Sequence, residues 1–117
     1  MQEITIWHNP KCSKSREAME ILEESGLKSE VVKYLESSPD THEITALLKK
    51  LKLSARELMR TKEEIYKELN LADEADEDKL IDAMAQNPIL IERPVLFKNN
   101  KAIIGRPSSI IAEFINS

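Results

Sequence analysis

The hydrophobic periodicity of the chain changes twice, and these changes constrain the fold more than any other feature of the sequence. In residues 3–8, Ile4 and Ile6 alternate with Thr5 and Trp7, which predicts a strand that the following Asn-Pro pair ends. Residues 13–26 have helical spacing and end at a glycine, and residues 30–35 are rich in β-branched and aromatic types. A helix between two such strands fits a right-handed β-α-β unit. The first part of the chain is therefore predicted to be α/β.

The middle of the chain has a helical period of 3.6 residues instead. Three capping-box sequences predict helix starts in it: Asp40 with Glu43, Ser54 with Glu57, and Thr61 with Glu64. Residues 76–88 supply another amphipathic helix, which a proline ends. We therefore expect several short helices in an insertion at about residues 39–88.

The last part of the chain returns to strands. Val95–Lys98 and Lys101–Ile104 are strand-like, and Asn99-Asn100 between them suits a two-residue hairpin turn. Pro107 is predicted in the first turn of a final amphipathic helix. With no internal repeat or long linker, the order β-α-β, helices, β-β-α predicts one domain over residues 1–117.

Composition and charge exclude several classes of protein. A chain of 117 residues with 41% hydrophobic and 32% charged residues can form one core, and it contains no apolar run of membrane-spanning length. The N-terminus has no secretion signal, so we expect a cytoplasmic protein. The net charge of −4 argues against nucleic acid as the main partner. Residues 61–82, however, have a net charge of −6, and the rest of the chain has a net charge of +2. An anion site in the rest of the chain is therefore compatible with the composition.

The single cysteine, Cys12, lies just before the first predicted helix and cannot form an internal disulfide. A helix N-terminus and cationic neighbours lower the pKa of a thiol, and Lys11, Lys14 and Arg16 are within four residues of it. The backbone amides at a helix N-terminus, which have no partner within the helix, could also bind an oxyanion. The alternative is that Cys12 is a small buried hydrophobe. The polar, proline-containing loop argues against burial, and we favour a reactive thiolate.

Other cysteine chemistries fit the sequence less well. Ser15 occupies the position where a Cys-x-x-Cys motif needs its second cysteine, and Ala18 stands where a Cys-x5-Arg anion loop needs its arginine. His8, His42 and Cys12 are too few and too irregularly spaced for a metal site, so we expect none. His8 is expected either to support the thiolate electrostatically or to make a structural hydrogen bond.

Three arginines outside the loop are candidates for anion binding. Arg60 lies between two capped helices, Arg93 precedes Pro94, and Arg106 precedes another proline. Taken singly, each is more often a solvated charge or a local ion pair. In this predicted topology the entrance of the Arg93-Pro94 strand can lie opposite the Cys12 loop, and a planar guanidinium suits a tetrahedral oxyanion. A cis Arg93-Pro94 bond would be a specific feature.

Five segments together resemble a known family. They are HNPKCSKSR, YLESSP, LMRTKE, LIDAMAQNPILIERPVLF and IIGRPSS. In combination, and across essentially the whole chain, they are similar to the glutaredoxin-linked arsenate reductases. The resemblance implies an α/β thioredoxin-like fold with a four-stranded mixed sheet, made of β-α-β plus β-β-α, and an inserted helical region.

The resemblance also implies a reaction. Cys12 would attack arsenate to give a thiol–arsenate adduct, with the anion bound by Arg60, Arg93 and Arg106. Glutathione, as co-substrate, and glutaredoxin would complete the reduction to arsenite, with no bound cofactor. The residues implied in support are His8, Ser15, Arg16 and Pro94, the last as a cis-proline beside the site. We expect a monomer that binds neither membrane nor nucleic acid.

Two other functions stay open. One is a monothiol oxidoreductase that acts on protein–glutathione mixed disulfides. The other is a non-catalytic regulator that binds RNA polymerase, although relatives of that type which sense oxidation use a Cys-x-x-Cys pair that this sequence lacks.

Overall fold

A computed structural model of the protein describes residues 4–26, 28–98 and 101–116. The chain divides into a first unit, Met1–Tyr34 with Arg93–Ser117, and a second unit, Leu35–Glu92. The second unit contains the insertion predicted at about 39–88 and extends beyond it at both ends. The assignment of the whole chain to a single domain stays a prediction.

The first unit consists of a sheet and two helices. Its elements are β1 (Ile4–Trp7), α1 (Ser13–Ser25), β2 (Ser29–Val32), β3 (Val95–Lys98), β4 (Lys101–Ile104) and α6 (Ser109–Ile115). The strand order is β2-β1-β3-β4, with β1 parallel to β2 and every other pair antiparallel. The predicted four-stranded mixed sheet is thus confirmed. The predicted hairpin turn at Asn99-Asn100 lies outside the described residues.

The strand register determines which loops share an end of the sheet. Trp7 pairs with Val32 on one side and with Val95 on the other, and Val95 pairs with Ile104. These four residues form one row across the sheet. The segments that follow β1, β2 and β4 and the segment that precedes β3 therefore begin at the same end.

The core of the first unit lies between the sheet and its two helices. The alternation in β1 puts Ile4 and Ile6 on this face, and both are completely buried. Their cluster also contains Ala18, Leu22, Leu96, Ile111, Phe114 and Ile115. Trp7 is buried as well, with its ring centroid 5.1 Å from that of Phe97.

Two boundaries in the first unit differ from the prediction. The second strand ends at Val32 rather than at residue 35. Its partner β1 ends at Trp7, so beyond the hydrogen bond from His8 N to Val32 O, 2.8 Å long, β1 offers no further pairing. Pro107 does not lie in the first turn of the final helix, because α6 begins at Ser109.

The second unit is helical, as predicted. It contains α2 (Thr41–Leu51), α3 (Ala55–Leu58), α4 (Glu64–Glu68) and α5 (Glu77–Gln86), with 3-10 turns at Leu71–Asp73 and Pro88–Leu90. The capping boxes that begin at Asp40 and Ser54 are both confirmed. None of the helices in the described parts of the chain is long and apolar enough to cross a membrane.

The capping box predicted from Thr61 is wrong. The N-cap of α4 is Glu63, which makes no side-chain capping bond, and the helix begins at Glu64. The reason is a preceding turn, in which Glu63 N donates to Arg60 O over 3.2 Å. The Glu63 carboxylate also lies 2.8 Å from the Arg60 guanidinium, so local pairing replaces the predicted cap.

Candidate active site

Cys12 is the N-cap residue of α1, which confirms its predicted position just before a helix. Its backbone N–H donates to Asn9 O over 3.0 Å, and its carbonyl accepts the first helical hydrogen bond, from Arg16 N, also over 3.0 Å. The amides of the first turn have no partner within a helix and point towards this end. The Cys12 side chain is therefore held beside a set of hydrogen-bond donors.

Short-range hydrogen bonds fix the loop that carries Cys12. Asn9 Oδ1 accepts from Lys11 N, and Asn9 N donates to the Ser15 hydroxyl, each over 3.0 Å. Ser15 is completely buried. Arg16 Nη1 donates to Pro10 O over 3.3 Å from an exposed position. Ser15 and Arg16 thus hold the loop closed against the first turn of α1.

Cys12 is buried, with 8% of its surface exposed, so the prediction from loop polarity that it is not buried is wrong. Burial raises the pKa of the Cys12 thiol, but hydrogen bonds from the Ser15 amide, the Arg93 side chain and the Lys14 amide outweigh it, and the Arg93 charge adds to them. The net effect is a pKa below the ordinary value. The thiol thus has polar donors beside it despite its burial, which favours the thiolate.

Arg93, one of the predicted arginines, is hydrogen-bonded to Cys12. It precedes β3, whose first residue lies in the same row of the sheet as Trp7. The bond between Arg93 and Pro94 is cis, as the resemblance implies. The chain thus brings a residue from the far end of the sequence onto the loop after β1.

Arg106 belongs to the same end of the sheet. Gly105 N donates to Pro94 O and Arg106 N donates to Ile104 O, each over 2.8 Å. A Cβ on Gly105 would lie 2.9 Å from Leu96 Cδ1 and 3.1 Å from the Pro94 ring, so any other residue here would force these side chains to shift. Arg106 itself is exposed.

His8 is buried beside the cationic groups of this site. Burial, then the charges of Lys33 and Arg16, lowers the pKa of its imidazole below 6.5. Its Nδ1 has no hydrogen-bond partner among the described residues. A neutral imidazole brings no positive charge to the thiolate, so the electrostatic interpretation of His8 is not supported near neutral pH. Its proposed supporting role stays a prediction.

Arg60 belongs to the second unit, where two carboxylates surround it. Its Nη1 lies 2.8 Å from Glu63 Oε2, and its Nε lies 3.9 Å from Glu92 Oε1. Its backbone N–H donates to Leu90 O over 2.7 Å, next to a bridge between Met59 and Ile91. The part that the resemblance gives Arg60 in anion binding stays a prediction.

Sequence reasoning missed Lys33 at this site. Lys33 follows β2 as His8 follows β1. Because the two strands are parallel, both residues lie at the same end of the sheet. The parallel β-α-β prediction contained this signal, but the strand was predicted to continue through residue 35. In the described ranges, histidine, cysteine and acidic side chains form no group of three that could hold a metal ion.

Comparisons with known proteins agree on one family. A family model described as the ArsC family matches residues 7–114. The uncharacterised protein YfgD of Escherichia coli is 52% identical over 97% of this chain and 98% of its own length. An arsenate reductase of Neisseria meningitidis is 51% identical over 92% of this chain and 93% of its own length. The structure of an arsenate reductase from Vibrio cholerae matches with a TM-score of 0.92 at 48% identity, covering 96% of this chain and 97% of that one. The predicted thioredoxin-like fold is thereby confirmed.

Proposed function

Because the chain belongs to the ArsC family, we propose that it is an arsenate reductase whose nucleophile is Cys12. The observation that carries the proposal is the lowered pKa of Cys12 under two helix amides and the Arg93 side chain. A thiolate is the nucleophilic form of cysteine, and the groups that stabilise it are also donors for an oxyanion.

The first step forms a bond between Cys12 Sγ and arsenic. One arsenate oxygen leaves as water after it takes up protons, and arsenic stays in the +5 state in the adduct. The resemblance assigns the remaining oxygens to Arg60, Arg93 and Arg106. Guanidinium groups suit this task because they keep their charge and present paired N–H donors. Donors directed at developing oxyanion charge each contribute about 100-fold or more to the rate in known enzymes.

The second stage is a two-electron reduction to arsenite. Two thiols supply these electrons when they are oxidised to one disulfide. The chain has one cysteine, so at least one of these thiols must come from another molecule. We propose glutathione as that co-substrate, with glutaredoxin reducing the resulting mixed disulfide. Both assignments follow from the resemblance to glutaredoxin-linked reductases.

The test is a coupled assay with the full chain, arsenate, glutathione, glutaredoxin, glutathione reductase and NADPH. We expect NADPH oxidation that requires arsenate and that Cys12→Ser abolishes. Ser25→Ala is the matched control, because it changes a hydroxyl at the opposite end of α1. A mixture with thioredoxin and thioredoxin reductase instead tests the reductant and is expected to support little turnover.

Three results decide between this proposal and its alternatives. No arsenate-dependent turnover with any thiol reductant would overturn the proposed enzyme. Turnover only with thioredoxin would overturn the glutathione assignment alone. Reduction of protein–glutathione mixed disulfides that needs Cys12 but not Arg93 would instead favour a monothiol oxidoreductase.

A further inference from the structure

A hydrogen bond joins α1 to the segment that precedes α6. The Ser108 hydroxyl donates to Glu17 Oε1, although the residues are 91 positions apart in sequence. The second oxygen of Glu17 lies 3.9 Å from Lys14 Nζ. The Glu17 carboxylate thus links the helix that Cys12 caps with the residues that directly follow Arg106.

The segment around Arg106 is held on both sides. Before it, Gly105 N donates to Pro94 O over 2.8 Å, which fixes the backbone against the start of β3. After it, Ser108 is the N-cap of α6, and the hydrogen bond to Glu17 holds this residue. Arg106 lies between these two anchor points.

Apolar packing alone does not fix this segment. The helices α1 and α6 share a cluster in which Ala18 and Leu22 pack with Ile111 and Phe114. Such contacts are non-directional and tolerate small shifts of one helix along the other. A hydrogen bond between a hydroxyl and a carboxylate is short and directional. It therefore determines the position of the segment more closely than the cluster does.

We propose that Glu17 is a positioning residue: through Ser108 it fixes Arg106 relative to Cys12 and so sets the affinity for the oxyanion without touching it. The inference rests on the proposed function, in which Arg106 binds the anion. A guanidinium makes paired hydrogen bonds to an oxyanion only when its backbone is held in place, and small displacements reduce binding and rate. The contact of Lys14 with Glu17 is long and exposed, so Ser108 is the partner that matters.

The experiment is a mutant cycle on the full chain. Glu17→Ala and Ser108→Ala each remove the hydrogen bond between Ser108 and Glu17. The double variant removes no second bond, and Glu17→Gln keeps a side-chain oxygen that can accept from Ser108. We expect KM for arsenate to rise about fivefold in each alanine variant, the range that the loss of one hydrogen bond gives. The double variant is expected to match the singles, and Glu17→Gln to stay close to the wild type.

The pKa of Cys12 provides a readout that a disturbance of the Cys12 loop would move and that this proposal leaves unchanged. It depends on the Ser15 and Lys14 amides and on Arg93, none of which takes part in the hydrogen bond between Ser108 and Glu17. Thiolate absorbance should therefore titrate alike in all variants. Ser25→Ala, which removes a hydroxyl at the other end of α1, should leave KM unchanged.

If the wild type turns over arsenate, two results would overturn the proposal. One is a KM that is unchanged in both alanine variants; the other is an additive rise in the double variant. If the wild type has no arsenate turnover, the proposed function fails. Hydrogen exchange then tests whether the hydrogen bond between Ser108 and Glu17 fixes the segment around Arg106. Faster exchange of the Arg106 amide in both alanine variants, with urea midpoints showing a folded protein, would then support it. Unchanged exchange would overturn it.

Discussion

The contact between Arg93 and Cys12 leads to a quantitative prediction about reactivity. The guanidinium donates a hydrogen bond to the sulfur and also acts through its charge, while burial opposes ionisation. Arg93→Met removes both stabilising effects and retains the length of the side chain. Hydrogen bonds to charged groups contribute about 1.5–3 kcal/mol. The Lys14 and Ser15 amides remain, and Arg93 is partly exposed, so the lower end of that range applies.

At about 1.4 kcal/mol per factor of ten, this loss lowers the acid dissociation constant of the Cys12 thiol about tenfold. The assay is the rate of alkylation by iodoacetamide as a function of pH. The inflection should move to higher pH in Arg93→Met, and at pH values below both inflections the rate should fall about tenfold. The limiting rate at high pH should not fall, because a thiolate of higher pKa is at least as nucleophilic.

Lys28→Met is the matched control, since it removes one exposed positive charge from the same unit without a contact to Cys12. Its profile should superpose on that of the wild type. An Arg93→Met profile that also superposed on the wild type would contradict the role given to Arg93, because the helix amides alone would then account for the lowered pKa of Cys12.

Three further predictions concern stability. The pKa of His8 is lowered in the folded state, so as the pH drops the imidazole is protonated more readily in the unfolded chain. The free energy of unfolding should therefore fall as the pH drops through about 6.5. In His8→Gln, the urea midpoint should depend less on pH in this range. Gly105→Ala should lower the free energy of unfolding by about 1–3 kcal/mol, since the new methyl group would lie 2.9 Å from Leu96 Cδ1 and 3.1 Å from the Pro94 ring and would force them to shift. Ser54→Ala should cost about 1 kcal/mol in urea unfolding because it removes a cap, whereas Thr61→Ala should cost less than about 0.5 kcal/mol.

Each of these predictions has a contrary outcome. A parallel acid profile for wild type and His8→Gln would mean that the imidazole charges as easily in the folded protein as in the unfolded chain. A fully stable Gly105→Ala would mean that the β4 end shifts away from Pro94 without cost. Equal losses of unfolding free energy in Ser54→Ala and Thr61→Ala would mean that Thr61 caps a helix in solution, contrary to the structure.

The parts of the fold that depend on local sequence could be predicted. Periodicity identifies the strands and the long helices because each needs an apolar face at fixed spacing. The caps at Asp40 and Ser54 are made by residues three positions apart, so their signal lies within one turn of helix. The position of Cys12 before α1 is predictable for the same reason.

The errors occur where a distant or competing partner decides. The length of β2 depends on where β1 ends, which the sequence of β2 does not contain. At Thr61 the cap is lost to a turn in which Glu63 pairs with Arg60. The burial of Cys12 also depends on Arg93, which is remote in sequence, and the polarity of the loop carries no information about it.

The distribution of charge between the two units gives the net value of −4 a different meaning. The first unit carries nine basic and seven acidic residues, and the second carries eight and fourteen. The unit that contains Cys12, Arg93 and Arg106 is thus net positive although the whole chain is acidic. At physiological salt, exposed charges are screened beyond about 8 Å. Because the donors to Cys12 are in direct contact with it, they act on the thiolate without such screening, so the net charge of the whole chain does not describe the electrostatics of the site.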